Sequence, residues 1–331
     1  MVLFVLVFFS LYGGMHLYAL WRTKSALQLS PLLTATMGAF MVLMTLAPLL
    51  IRLSEKKGLD TVAISLAWVG YTWMAVLFVF VFFCLSGDVL RVLIFLFTKE
   101  MVPLRYIFFI SLGISLALNA YGLFEAVNIK TERITISSPG LKKPVKIVQI
   151  SDLHIGLIVR TSRLQRVAEL IKKEASDILV STGDLVDGQA DRVNGLSEIL
   201  KDIPTVYGKF AVTGNHEFYA GLEEALEFTR KAGFQVLRNR FLYIKDLNLT
   251  IAGVDDPTAL GYGLKTEVSE ADLLRSVPQG SFVLLLKHRP LVDRASVGLF
   301  DLQLSGHTHK GQIFPFSIFT ALFYGQDSGM K

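Results

Sequence analysis

The sequence predicts two architectures in one chain: an all-α membrane bundle followed by an α/β domain. Three observations carry this. Apolar residues make up 52% of the 331 positions, too many for an ordinary soluble chain, and the excess lies in the first 125. Four stretches there, 1–21, 25–51, 61–87 and 106–124, carry no charged side chain. From residue 145 onward, short apolar runs alternate with amphipathic ones, and Asp, Asn and His gather where the apolar runs end.

Each uncharged stretch is long enough for one helical crossing at about 20 residues, giving about four transmembrane helices in 1–125. The first lacks a positive leading segment and a small-residue cleavage site, so it reads as a retained helix. Residues 89–98, with Arg91 inside, read as an interfacial helix or an extension of the third span. Trp21, Trp68, Tyr71 and Trp73 suit interfacial or packing places. An ionisable residue in mid-span is a functional candidate; His16, with no partner carboxylate, reads instead as a neutral, hydrogen-bonded histidine. The spans so drawn hold no Asp, Glu, Lys or Arg. With both ends inside, Arg52, Lys56, Lys57, Lys130, Arg133, Lys142, Lys143 and Lys146 share one side. Arg22, Lys24, Arg91, Lys99 and Arg105 share the other. That bias leans toward a multi-pass cell-membrane protein with its C-terminal domain in the cytoplasm.

The net charge of +5 fits loop lysines and arginines facing anionic lipid. Basic and aromatic residues do not interleave, so no nucleic-acid partner is expected. A single cysteine, Cys84, excludes a disulfide framework and a cysteine-based metal site within one chain. Residues 126–144 read as a linker and first strand, because 127–130 and 133–136 alternate apolar and polar, with a turn at Ser137-Ser138-Pro139-Gly140.

The domain at 145–331 is organised around Gln149-Ile150-Ser151-Asp152-Leu153-His154-Ile155-Gly156, which follows a buried strand at 145–150. A helix at 161–175, capped by Thr161 or Ser162, leads to a strand at 177–182 and Gly183-Asp184-Leu185-Val186-Asp187. A helix near 194–201 and a strand at 205–213 lead to Gly214-Asn215-His216-Glu217. A helix at 222–232, a hairpin of 241–244 with 247–252, and a helix near 267–276 follow. Strands at 282–286 and 300–304 deliver Lys287-His288-Arg289-Pro290 and Ser305-Gly306-His307-Thr308-His309. In open α/β sheets the functional crevice lies beyond the carboxyl ends of strands. Five of the six histidines fall in such loops.

Asp, His and Asn donors without thiolates suit Mn, Fe, Zn or Mg. The set is too large for one ion and suits two. A two-metal site clamps the attacking and leaving oxygens of a phosphoryl displacement and activates water near neutral pH. Ligating histidines need an acceptor at their second nitrogen; Asp187 is a candidate, or else a solvated loop residue.

Asp152-x-His154, Gly183-Asp184-x-x-Asp187, Gly214-Asn215-His216-Glu217, His288 and Gly306-His307-x-His309 resemble, in order, the five motifs of the calcineurin-like metallophosphoesterases, over about 145–313. Gly253-Val254-Asp255-Asp256 and Gly306-His307-Thr308-His309-x-Gly311-Gln312 are similar to the family's bacterial membrane-associated branch. The resemblance implies a four-layer α/β/β/α sandwich and a hydrolase using a metal-bound hydroxide. It implies Asp152, His154 and His309 at one divalent ion, Asn215, His288 and His307 at the other, and Asp184 between them. It gives His216 contact with the phosphate and the leaving group, with Asn215 near the substrate oxygen. The substrate would be a phosphorylated small molecule or a lipid-linked phosphate or pyrophosphate, with Tyr262 and Leu264 candidates to line a lipid groove. The alternative is a membrane sensor or transporter whose phosphoesterase-like domain only binds a ligand. Lys310 stands where this branch has Gly, meeting a substrate phosphate or pointing to solvent. With 22 residues after His309, of which 318–324 are read as one strand, the sheet is expected to end incomplete in a truncated chain.

Overall fold

A computed structural model describes residues 2–187, 195–264, 268–311, 316–324 and 329. The chain divides into two compact units, Met1–Lys130 and Thr131–Lys331. The ends of two expected helices at Asn194 and Glu267, Gln312, residues 325–328 and the side chain of Lys310 lie outside the described residues.

The first unit contains helices α1 (Val2–Leu27), α2 (Pro31–Lys56), α3 (Asp60–Thr98) and α4 (Leu104–Val127). The hydroxyl of Ser30 caps α2 by accepting from the Leu33 N–H, and Pro31 takes the first helical position, where no amide donor is needed. α3 runs 39 residues, about 58 Å at 1.5 Å per residue, so 89–98 continues the third helix. It stops at Lys99, which turns left-handed at φ 59°. Helices α2, α3 and α4 are long and apolar enough to cross a membrane. Their outward faces carry exposed Leu32, Val42, Leu90, Phe109 and Leu123.

Polar groups join these helices. His16 is buried, with Nδ1 2.8 Å from the Tyr12 carbonyl and Nε2 accepting from Trp73 Nε1 at 2.9 Å. Thr45 Oγ1 lies 3.2 Å from Nδ1. Both nitrogens are therefore engaged in the neutral form, tying α1, α2 and α3. A charged pair sits just past the expected span limits: Arg22, 1% exposed, lies 3.0 Å from Asp88. Tyr18 donates to the same carboxylate at 2.6 Å.

The second unit opens without the strand expected in 126–144. Residues 129–136 form no strand. The alternating pattern is real, but Ile134 and Ile136 remain exposed; alternation makes a strand only where a partner and a buried face exist. The first sheet orders β1 (Ile147–Ile150), β2 (Ile178–Ser181), β3 (Gly208–Ala211) and β4 (Gln235–Val236), all parallel. The second orders β5 (Arg240–Ile244), β6 (Leu249–Gly253), β7 (Phe282–Leu286) and β8 (Leu302–Leu304), antiparallel only between β5 and β6.

Alternation decides the layers. Ile178, Val180, Phe210, Ile251, Leu284 and Leu286 share one core drawn from both sheets, so the sheets pack face to face. Ala252, Val283 and Leu285, on the opposite face of the second sheet, pack with Leu273 and Leu274 of α10 (Glu270–Arg275), which follows the one-turn helix α9 (Thr258–Gly261). Helices α5 (Thr161–Glu174), α6 (Leu196–Lys201) and α8 (Leu222–Lys231) bury their apolar stripes and complete the α/β/β/α sandwich. Strands covered on both faces read as unbroken apolar runs, as β7 does.

Two local expectations are overturned and one element is added. Arg160, in extended conformation, takes the N-cap of α5 with no side-chain bond, rather than Thr161 or Ser162. Phe316–Tyr324 is helix α11, not a strand. A short, mostly apolar run fits either element by periodicity, and Ile318, Phe319, Leu322 and Phe323 stay exposed with no strand beside them among the described residues. Finally, Asn215 opens a short helix, α7 (Asn215–Ala220), directly beyond the β3 loop.

Candidate metal centre

The carboxyl ends of β1, β2, β3, β7 and β8 converge. The loops after β1 and β2 are hydrogen-bonded to each other, Asp152 N–H to the Gly183 carbonyl (3.1 Å) and His154 N–H to that of Asp184 (3.0 Å). The loops after β7 and β8 join through Gly306 N–H and the His288 carbonyl, 2.9 Å. The two sheets meet where the His307 N–H donates to both Asp152 oxygens, 3.1 and 3.0 Å.

Five of the predicted side chains stand on left-handed backbone: Asp152 (φ 53°), His154 (48°), Asp184 (50°), His307 (73°) and His309 (48°). Such a conformation costs an L-residue roughly 1–2 kcal/mol, and its recurrence at five neighbouring positions marks a site where orientation outweighs local comfort. The glycines serve close approach. A Cβ on Gly306 would lie 1.8 Å from Ser151 Oγ and 2.2 Å from Asp152 Oδ2; one on Gly214 would lie 2.2 Å from Asp184 Oδ1.

Every predicted site residue lies in this cluster. Three groups are tight enough to hold a cation: Asp152, His154 and His309; His154, Asp184 and His216; Asp184, His288 and His307. His154 Nε2 is 3.2 Å from His309 Nε2, and His309 Nε2 is 3.3 Å from Asp152 Oδ1. His288 Nε2 is 3.2 Å from both Asp184 Oδ2 and Asn215 Oδ1 and 3.0 Å from His307 Nδ1.

Outer partners fix these rings. His288 Nδ1 lies 2.9 Å from the Thr182 carbonyl, which sets Nδ1 as donor and turns the Nε2 lone pair inward. Asp187 lies 3.1 Å from His216 Nδ1, so it orients that ring. Two residues carry the geometry without having drawn a role from the sequence. Glu217, 2% exposed, accepts N–H bonds from Asp184, Leu185, Val186 and Gly214. It holds the β2 and β3 loops together. Its place three residues after Gly214 is that of a capping-box glutamate, the one sequence signal that points to it. Arg289 donates from Nε and Nη2 to Asp256, 2.8 and 3.0 Å.

The electrostatics are those of a cation site. Burial opposes the charge on Asp184, but the His288 hydrogen bond outweighs it and holds the carboxyl at about 2. Burial likewise opposes the charge on His288, and Asp184 outweighs it, lifting the imidazole to about 9. His307, buried beside the positive charge of His288 and Arg289, falls to about 4. Burial lowers His216, yet Asp187 and Asp184 leave it raised.

Bound divalent metal fits this donor set. The donors are nitrogen and oxygen without sulfur. Histidine nitrogens stand 3.0–3.2 Å apart, where without a cation one of each pair must carry a proton. The second nitrogen of His288 is already engaged outside the cluster.

The family model for the calcineurin-like phosphoesterases matches residues 145–311, half of the chain. A metallophosphoesterase of Aquifex aeolicus is 40% identical over 222 residues, covering 66% of this chain and 84% of its own length. One of Campylobacter jejuni is 32% identical over 284 residues, 78% of this chain and 72% of its own. A zebrafish (Danio rerio) transmembrane protein with metallophosphoesterase domain is 31% identical over 235 residues, 64% of this chain and 52% of its own. The protein belongs to the calcineurin-like phosphoesterases, in the membrane-associated bacterial branch of that family.

Proposed function

We propose that the chain is a multi-pass membrane phosphoesterase with a dinuclear metal centre that hydrolyses a phosphoester or pyrophosphate bond. The observation that carries this is the double membership of Asp184, grouped with His154 and His216 on one side and with His288 and His307 on the other. Asp152, His154 and His309 would hold one ion, Asn215, His288 and His307 the other, with Asp184 shared. Two divalent cations so held supply Lewis-acid polarisation of a phosphoryl oxygen and activation of water near neutral pH.

The chain's own residues do the rest. His216 N–H donates to Asp184 Oδ1 at 2.8 Å, and Asp187 holds its Nδ1. The opposite nitrogen, Nε2, is assigned to the phosphate and the leaving oxygen. Its raised proton affinity suits a general acid near neutral pH. Thr182, Glu217 and Ser151 keep the ligands in register.

A lipid-linked substrate draws support from an apolar surface next to α7, the helix that carries Asn215 and His216. Leu260, Tyr262 and Leu264 are exposed, and Tyr262 packs on Phe218 of α7 at 6.0 Å. The loop charges support a cytoplasmic catalytic unit.

The test is Asp184→Asn in the full chain, assayed in detergent with Mn²⁺ and chromogenic phosphoesters. Losing the shared ligand should cost more than the about 10–100-fold that loss of an outer partner costs. Unchanged hydrolysis would refute the assignment.

A further inference from the structure

Beside the metal-ligand cluster stands a cation that no ligand role uses. Arg289 follows His288 at the end of β7. Its guanidinium is locked by Asp256, whose side chain is fully buried. Nε donates to Asp256 Oδ2 (2.8 Å), and Nη2 donates to Asp256 Oδ1 (3.0 Å) and Thr258 Oγ1 (3.1 Å). Asp256 Oδ1 also accepts the Thr258 N–H at 2.8 Å.

The pair is asymmetric. Asp256 is sealed, while the Arg289 side chain is 30% exposed. Both N–H donors of Nη1 make no hydrogen bond among the described residues. This cation is held in place before any ligand arrives, so binding to it costs little side-chain entropy. Its charge is felt at His307 and at Tyr324, and the Tyr324 ring stands edge-on to His307 at 5.8 Å. Arg289 directly follows His288, whose Nε2 lies 3.0 Å from His307 Nδ1.

We propose that Arg289 is the seat for a second phosphoryl group, and that the enzyme prefers a phosphoanhydride over a simple phosphoester. The inference rests on the phosphoesterase reading above and names its substrate class. A pyrophosphate places a second anion one bridging oxygen from the phosphorus under attack. A planar guanidinium with two donors free matches such an oxyanion. In the hydrolysis, the oxygen of water bonds to the phosphorus held at the ligand cluster and the bridging P–O bond breaks. Its electron pair leaves on the distal phosphate, and the protons of water pass to the two phosphate products. Arg289 neutralises the charge gained by the leaving phosphate.

The test compares full-length wild type with the paired variant Arg289→Gln/Asp256→Asn, which avoids stranding a buried carboxylate, and with Arg289→Lys. The substrates are UDP-glucose, which contains a phosphoanhydride, and bis(p-nitrophenyl) phosphate, which does not. A hydrogen bond to a charged group is worth about 1.5–3 kcal/mol, or about 10–150-fold. The expected result is a fall of that size in the ratio of kcat/KM for UDP-glucose to kcat/KM for the diester, mostly in KM, with Lys restoring part of it. An equal loss on both substrates, or no change in the ratio, would overturn the subsite and leave the phosphoesterase reading standing. Failure of wild type to cleave either substrate would overturn both.

Discussion

The two units bury the same kinds of residue to opposite ends. In the first, His16 has both nitrogens engaged, by the Tyr12 carbonyl and the Trp73 indole. Arg22 pairs with Asp88. Their effect is to join α1, α2 and α3, and nothing about them converges on an open point. In the second, histidine nitrogens face one another at 3.0–3.2 Å around a shared carboxylate, on backbone held left-handed. A buried histidine with two satisfied nitrogens is a staple; several with lone pairs aimed at one place are a ligand set. The protein environment, not the residue type, makes the difference.

The same substitution made in both units separates a staple from a ligand. His288→Ala is expected to lower metal content and reduce hydrolysis by more than about 100-fold, beyond the range of an outer-partner loss. If His288→Ala kept its metals and its rate, the convergence at Asp184 would have no functional meaning.

Acidity offers the next test. With metal chelated away, His288 is raised to about 9 and its ordinary value is 6.5. A group raised in the folded state adds stability below its unfolded pKa and loses it as pH rises through the folded value. The chelated chain should therefore lose thermal stability between about pH 6.5 and 9. In the metal-loaded chain the cation replaces the proton, and that slope should vanish. Identical slopes with and without metal would count against cation binding at His288.

Glu217→Gln should destabilise the second unit by about 1.5–3 kcal/mol, because an amide nitrogen replaces an oxygen that accepts charge-assisted bonds from backbone donors. Denaturant unfolding in detergent measures it. Wild-type stability would mean that the β2 and β3 loops hold their shape without this carboxylate. The smallest effect belongs to His16→Ala. Interhelical hydrogen bonds within membranes average about 0.6 kcal/mol. The variant should melt slightly lower with metal content and phosphoester hydrolysis unchanged, and a loss of metal there would dissolve the contrast between the units.

Much of the second unit was legible because its strands are covered on both faces, which writes them as apolar runs ending abruptly at Asp152, Asp184, His288 and His307. The five strand-end loops could be found without knowing how the sheets pair. Other features leave no such mark. Gln235–Val236 is too short to show a period, and its strand exists through pairing with β3. Residues 133–136 show a period, but no strand pairs with them among the described residues. The run ending at Tyr324 is apolar but for Ser317 and Thr320 and fits helix or strand. Glu217 is visible only as a capping-box position; three of its four donors come from a loop 31 to 33 residues upstream and the fourth from its own. Arg22 and Asp88 are distant in sequence and become a pair only when α1 lies against α3.

The most direct test of the central claim is metal stoichiometry in the purified full-length chain, measured by elemental analysis beside Asp184→Asn and His16→Ala. About two divalent ions per chain are expected in wild type and in His16→Ala, and fewer in Asp184→Asn, because one carboxylate is shared. A wild-type chain that takes up one ion or none from Mn²⁺, Fe²⁺ or Zn²⁺ would contradict that claim.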